Sequence, residues 1–550
     1  MAIRAKGFKV LAVALASWQV AGCGGGDDPP APVSDTFTVP GSAAAVAAAC
    51  TALAGKPLVD GSITSAAIVS GEQSGGVSLP ENCKVTGKLE ARIGVNNVAY
   101  ATNFEVRLPT TWNRRFYLQG QGGTGGSVVA AYGTNQPTGQ APALSKGFAV
   151  VSFDGGHSGS TPVFGLDPKA VYDFAYHSMD IATVAAKSIV NSYYGQAPAY
   201  SYAVGCSNGG RQMMELAQRF PNYFDGILAG SATYRLSVSY VDAAWGIQAV
   251  HNAAPTDSQG NHIDANAFSQ ADLNLVAADL LSVLDGKDGL VDGVVSNVAA
   301  SGFSTYDPGR LQCTGDKTPQ CLTSAQVGAM RALFSGAKNS AGQSLYSSWP
   351  WDPGLSGSQW ISWKLGTSQT PVPNSIKAAF ADTSIGYLYL DPPDPNFKAL
   401  NFNFDTDPQR LAMTGPLLDA DNPDLSPFVA HGGKIMWWHG MADPSTPITD
   451  VIRYYTRMAA ATHSAGAADT YARVFAAPGV GHCGGGPGLD NFPALDALMQ
   501  WVEKGVAPDS MVATGTAVPG RSRPICPWPQ YASYKGSGDV NDAANFVCKM

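Results

Sequence analysis

Charge is scarce in this chain. Asp, Glu, Lys and Arg make up only 14% of its 550 residues. That excludes a coiled coil or a long solvated helix, both of which need charged faces. The 34 Lys and Arg are outnumbered by 42 Asp and Glu, for a net charge of -8. Such a balance excludes the basic footprint that a nucleic-acid partner requires. Histidine is scarcer still, at eight residues, so each one near a chemical motif counts. Past the N-terminal segment, no apolar run approaches the ~20 residues of a membrane span, and no internal repeat is found. What the chain does have is 45% hydrophobic content together with 62 Gly and 37 Pro. This is enough for a large core, in more than one average domain, and suits a loop-rich secreted globular protein.

The N-terminus reads as a targeting segment. Arg4, Lys6 and Lys9 precede the apolar run VLAVALASWQVAG, which ends in Val20-Ala21-Gly22-Cys23. This ending is similar to a bacterial lipobox, with cleavage after residue 22 and the lipid on Cys23. GGGDDPPAPVSD then reads as a tether, since it has almost nothing apolar to pack. The expected location is therefore the periplasm or the outer membrane, held there only by the lipid, or secretion. Of nine cysteines, removing Cys23 leaves eight, an even number that in an oxidising compartment suggests four disulfides. Proximity favours Cys50–Cys83, Cys313–Cys321 and Cys526–Cys548. That strands Cys206 with Cys483.

Short apolar runs ending in glycine-rich turns predict strands over 114–120, 147–156, 200–205, 225–230, 434–440 and 471–479. Helical patterns fall between them, over 172–194, 209–220 and 492–504. Alternation of this kind predicts an α/β fold with a mostly parallel sheet. From 231 to 432 the rhythm stops, with helical stretches over 267–284 and 323–336 set in irregular chain. The expected organisation is a signal over 1–22, a tether over 23–44, a core from 45–230 and 433–550, and an inserted lid domain over 231–432. An insertion there would cover the crevice at the carboxyl ends of the strands.

Residues 202–212 read YAVGCSNGGRQ. Gly205-x-Ser207-x-Gly209 between an apolar strand and a helical MMELAQRF is the nucleophile-elbow pattern. A nucleophilic serine needs a base and an orienting acid, in the order Ser, Asp, His on this kind of fold. KIMWWHGMADPSTP supplies Asp443 just past a strand. VFAAPGVGHCGGGPG supplies His482 in a glycine-rich loop. Taken alone, Asp443 before Pro444 reads as a turn and His482 as a surface residue. The cysteines decide between these readings. Cys206 precedes Ser207 and Cys483 follows His482, so a serine and histidine within reach would bring both cysteines to disulfide distance. One arrangement then accounts for the dyad and for the stranded pair.

These residues carry a resemblance. Cys206-Ser207, Asp443 and His482-Cys483 are similar to the CS-D-HC set of the tannase and feruloyl esterase family, as are GCSNGGR, WWHGMADP, GHCGGGPG and the C-terminal YKGSGDVNDAANF. The resemblance covers about residues 45–550 and leans toward a bacterial branch that hydrolyses mono(2-hydroxyethyl) terephthalate. It implies an α/β-hydrolase core with a lid domain, acting on esters of aromatic acids through an acyl-enzyme. Asn208, the residue after the nucleophile, is expected to give one oxyanion-hole N–H. The resemblance assigns the other to Gly123, beside Gly122 in the loop QGQGGTGGS, which lacks the Lys-Ser/Thr ending of a phosphate-binding loop.

Residues 285–294 read DGKDGLVDGV, three carboxylates spaced by three and four among glycines. The set suits a hard, oxygen-seeking cation and is not an EF-hand. The resemblance implies a structural Ca2+ on the side chains of Asp285, Asp288 and Asp292 and the carbonyls of Leu290 and Val294. It also places Trp363, Phe380 and Ser384 at substrate contacts. Where the terephthalate branch has an arginine for the substrate's free carboxylate, this sequence has Ile376 beside Lys377, and Ala381 replaces a serine. An apolar residue cannot pair a carboxylate, so neutral phenolic esters such as ferulates or gallates are expected substrates beside the terephthalate monoester. Asp154 and His157 end a core strand and either line the pocket or brace its loop. The expected partner is a small aromatic ester, and the expected state a monomer. The competing classes are a serine peptidase, which no motif marks, and a ligand-binding lipoprotein with a dead site, which an intact triad argues against.

Overall fold

A computed structural model of the protein describes residues 36–297, 306–464 and 466–550. The N-terminal signal, Cys23 and most of the tether lie outside the described residues.

One ten-stranded sheet organises the chain from Thr36 onward. Its strands are β1 (Pro57–Leu58), β2 (Gly61–Val69), β3 (Asn82–Ile93), β4 (Ala99–Pro109), β5 (Arg115–Gln119), β6 (Ala149–Phe153), β7 (Tyr200–Cys206), β8 (Gly226–Gly230), β9 (Lys434–Gly440) and β10 (Ala472–Ala477). They lie in the order β10-β9-β8-β7-β5-β6-β4-β3-β2-β1. From β10 across to β6 every pair is parallel, and from β6 out to β1 every pair is antiparallel. All six strands expected from the apolar runs are present. Every residue of β6 and β8 is buried, as in a sheet covered on both faces.

The antiparallel half was not expected. In NCKVTGKLEARI the outward Lys84 and Lys88 dilute the apolar signal of the inward Val85 and Leu89, as in a strand with one wet face, while Ala99–Pro109 alternates apolar residues with the buried polar Glu105 and Arg107. The end of the predicted tether is also ordered. Phe37–Thr38 pair with Thr111–Trp112, Val39 is buried, and a helix begins at Ala43 behind the cap of Ser42.

Helices Ser178–Tyr194, Asn208–Arg219 and Ala494–Lys504 occupy the predicted places. The first continues a turn of π-helix over Asp173–His177, preceded by a short helix over Pro168–Tyr172. The described residues of 231–432 add no strand to the sheet. Helices Gln270–Leu284 and Ser324–Ser335 begin at capping boxes, Ser269 with Asp272 and Thr323 with Gln326, which fix their N-termini from sequence. Further helices here, the longest being Leu236–Ala253 and Ile376–Ser384, were not expected. One apolar cluster is drawn wholly from this segment, around Leu273, Leu280, Met330 and Trp351. A second joins it to Tyr100, Phe164 and Phe174 of the core.

All four expected disulfides form: Cys50–Cys83, Cys206–Cys483, Cys313–Cys321 and Cys526–Cys548. No helix among the described residues is long and apolar enough to cross a membrane.

Candidate active site

Strand β7 runs straight into helix Asn208–Arg219, and Ser207 occupies the junction with φ 65° and ψ -125°. A serine rarely adopts that backbone, so the surroundings must hold it. Its N–H donates to the Gly230 carbonyl (3.0 Å), and its own carbonyl accepts from Arg211 (3.1 Å) and Thr233 (3.3 Å). The flanking glycines are sterically required. A Cβ on Gly205 would lie 2.6 Å from the backbone carbonyl of Gly209, and one on Gly209 would press on Gln121 at 3.1 Å.

Asp443 is buried just past β9. Its carboxylate accepts from Nδ1 of His482 (2.8 and 3.0 Å) and from the N–H groups of Ser445 (2.7 Å) and Thr446 (3.2 Å). Nε2 of His439 lies 3.3 Å from it on the other side and donates to the Thr446 carbonyl. Burial alone would push this carboxyl up. The charge and hydrogen bond of His482, with those of His439, outweigh burial and hold it well below the usual carboxylate range. His439 was not singled out from the sequence, although it stands in the quoted WWHG.

His482 lines the same cavity as Ser207, and its other nitrogen is Nε2. That atom is buried and has no hydrogen-bond partner among the described residues. The Cys206–Cys483 bridge, with Cα atoms 5.9 Å apart, ties the residue before the serine to the residue after the histidine across 277 positions.

The cavity measures about 410 Å3, within the range of small-molecule sites. Gly122, Gly123, Ser207, Asn208, Trp363, Phe380 and His482 all line it. Asn208 is the first residue of its helix, so its N–H has no carbonyl one turn back to bond. The glycine loop is locked to that helix, because Gln121 N–H donates to the Gln212 side chain (2.8 Å). Trp363 and Phe380 lie nearly parallel, 15° apart at 6.2 Å between centroids, and Trp363 meets the His482 ring edge-on at 5.0 Å.

Ser384 and Ile376 lie elsewhere than expected, and the two alternatives for Asp154 and His157 are resolved. Ser384 is fully buried and not among the lining residues; its hydroxyl donates to Tyr240 (3.0 Å), and Tyr240 lines the cavity instead. Asp154 and His157 do not line it either. Asp154, pushed up to about 6 by burial, accepts from Asn103 and Gly156, while His157 stacks on Phe164, so both brace the loop. And the helix Ile376–Ser384 puts Lys377, not Ile376, into the wall.

Lys377 has buried company. Lys364 packs over the Trp349 ring (3.8 Å), and burial brings its pKa down to about 7, partly offset by the charge of Asp242. Burial lowers Lys377 as well, again against Asp242. No hydrogen bond or ion pair engages the Lys377 ammonium among the described residues.

In the acidic loop, Asp285 accepts from the N–H groups of Asp292 and Gly293, and Asp288 from those of Leu290 and Ser296. Burial, reinforced by the charge of Asp292, raises Asp288 to about 6. Asp292 pairs with Arg523. The loop carboxylates do not converge as closely as Glu90, Asp173 and His177, whose ligand atoms lie within 4.8 Å of one another around Lys169.

The family model described as tannase and feruloyl esterase matches residues 83–549. The chain is 40% identical over 517 residues to mono(2-hydroxyethyl) terephthalate hydrolase of Piscinibacter sakaiensis, covering 86% of this chain and 85% of that one. It is 28% identical over 465 residues to feruloyl esterase B of Aspergillus niger, covering 81% and 83%. Among solved structures, feruloyl esterase B of Aspergillus oryzae superposes with a TM-score of 0.77 at 24% identity, over 92% of this chain and all of that one. Tannin acyl hydrolase of Aspergillus niger gives 0.72 at 20%, over 93% and 96%. These two likenesses bear on the fold.

Proposed function

The chain belongs to the tannase and feruloyl esterase family of carboxylic ester hydrolases, and from that premise we propose that it is an exported serine esterase for esters of aromatic acids. One observation carries the reading. A strained serine and a histidine whose free nitrogen is unpartnered line one cavity, with a buried aspartate behind the histidine.

Ser207 Oγ attacks the ester carbonyl while His482 Nε2 takes its proton. Asp443 fixes the ring through Nδ1 and stabilises the imidazolium. Charge on the carbonyl oxygen is met by the N–H groups of Asn208 and Gly123. His482 then protonates the departing alcohol, and water repeats the sequence on the acyl-enzyme. The near-parallel faces of Trp363 and Phe380 suit a flat acyl group.

A second reading has its own support. The free ammonium of Lys377 in the cavity wall would pair with a carboxylate, and that favours an acyl group with a second acid, as in a terephthalate monoester. The relative of that name is 40% identical.

Calcium belongs with this proposal. Asp285, Asp288 and Asp292, with the Leu290 and Val294 carbonyls, are an all-oxygen donor set. Burial, with the added charge of Asp292, raises Asp288, and a bound cation would favour its ionised form. Arg523 already shares Asp292. The ion would brace the loop and takes no part in the chemistry. Eight paired cysteines fit an oxidising compartment. A cleaved signal and a lipid on Cys23 are part of the same proposal.

The test is a panel of methyl ferulate, methyl gallate, mono(2-hydroxyethyl) terephthalate and a short aliphatic p-nitrophenyl ester, each run with Ser207→Ala. Serine-dependent turnover of the aromatic esters is expected. Turnover that survives Ser207→Ala would overturn the mechanism, and no turnover at all would favour a ligand-binding role.

A further inference from the structure

The loop that carries His482 is made mostly of glycine. Gly481 precedes the histidine, and Gly484, Gly485 and Gly486 follow Cys483, all three at positive φ (127°, 71° and 81°). Such a backbone has little stiffness of its own, so its position is set by what grips it. The disulfide grips it from the core side. The opposite grip comes from the inserted segment.

Gln359 brackets the histidine. Its Oε1 accepts from the His482 N–H (2.8 Å), and its Nε2 donates to the Gly484 carbonyl (2.9 Å). The fit is close, since a Cβ on Gly481 would come within 2.2 Å of that Oε1. Asp352, seven residues earlier, accepts from Gly479 N–H (2.9 Å) at the start of the same loop. Trp363, four residues later and so on the same helical face as Gln359, meets the His482 ring and lines the cavity. Residues 352–363 thus touch the loop at its start, around the histidine backbone and on the histidine ring.

We infer that Gln359 is a positioning residue for His482: through it, the segment that walls the substrate cavity also seats the catalytic base. The inference rests on the Ser207–His482–Asp443 reading. Gln359 acts through the His482 backbone. Its loss lets the glycine loop drift and turns Nε2 away from Ser207, and misplacement by about 1 Å in a reacting group costs roughly 100-fold in rate.

Two variants separate positioning from packing. Gln359→Met keeps the length and loses both hydrogen bonds. Gln359→Glu keeps the acceptor for His482 N–H and loses the donor to Gly484. With p-nitrophenyl acetate, which is too small to need the aromatic wall, kcat of Gln359→Met is expected to fall about 10- to 100-fold with little change in KM, and Gln359→Glu to recover part of the loss. The low-field NMR signal of the His482 Nδ1 proton should broaden in Gln359→Met and sharpen again in Gln359→Glu. Wild-type kcat and an unchanged signal in Gln359→Met would overturn the inference, as would a loss expressed only in KM or in melting temperature. If Gln359→Met does not fold, the comparison of Gln359→Glu with wild type decides by the same readouts. Ser207→Ala is run alongside. An active Ser207→Ala removes the triad itself, whereas an inert Ser207→Ala beside a fully active Gln359→Met removes only the role of Gln359.

Discussion

Removing the Cys206–Cys483 bridge should damage catalysis more than its place among four disulfides suggests. The perturbation is the double substitution Cys206→Ala/Cys483→Ala, which leaves the other three bridges intact. The chain-entropy relation gives about 5.6 kcal/mol at 25 °C for closing a loop of 277 residues, against about 2.5 kcal/mol for the eight-residue Cys313–Cys321 loop. The first figure is a ceiling, because a denatured chain that keeps residual structure has less freedom for the bridge to remove. A stability loss of about 2–5 kcal/mol is expected, read from urea unfolding. The catalytic effect is separate. Freed of Cys483, the histidine loop is held by Gln359, by Asp490 at Gly485 and by Asp352 at Gly479. Loosening it by about 1 Å lowers kcat roughly 100-fold with KM nearly unchanged. The assay is steady-state hydrolysis of a p-nitrophenyl ester well below the melting temperature. A variant that loses stability yet keeps wild-type kcat would refute the idea that the bridge positions the histidine.

Asp443→Asn should keep KM and lower kcat about 10,000-fold, since an amide no longer stabilises the imidazolium or enforces the tautomer. The same carboxyl links stability to pH. Its folded pKa lies below its unfolded value, so its contribution is present above about pH 4 and is lost as pH falls below that. Urea unfolding between pH 3 and pH 6 should show a shallower acid loss in Asp443→Asn; equal slopes would contradict the assignment. Chelation with EGTA should lower the melting temperature while leaving kcat at 25 °C unchanged, and Asp288→Asn should remove the response to added Ca2+. A melting temperature indifferent to both Ca2+ and EGTA would rule out the ion. Lys377→Met should cut kcat/KM for mono(2-hydroxyethyl) terephthalate about 10- to 100-fold relative to methyl ferulate, the worth of one charge-assisted hydrogen bond. An unchanged ratio would return the substrate to the neutral phenolic class.

The parallel half of the sheet was legible because strands buried on both faces read as unbroken apolar runs, as in GFAVVSFDGG and KIMWWHG. The antiparallel half was not, because a strand with one wet face mixes Lys and Glu with Val and Leu. The candidate site was legible because Ser207, Asp443 and His482 sit in short motifs with fixed neighbours, and because two cysteines with no other explanation marked which motifs belong together. Gln359 escaped for a different reason. It acts through a contact that depends on how the inserted segment lies against the core, and no local pattern records that placement. Ser384 shows the limit from the other side: a side chain one layer behind the wall, bonded to Tyr240, has the same local sequence as one that faces the cavity.

The most direct test of the central claim is to trap the acyl-enzyme. The protein would be mixed with a p-nitrophenyl ester, quenched in acid within the burst, digested and mapped by mass spectrometry, with His482→Ala as the control. The expected result is one acyl mass on the peptide that contains Ser207, absent in His482→Ala. Rapid turnover with the acyl group on another residue, or a wild-type burst in Ser207→Ala, would contradict it.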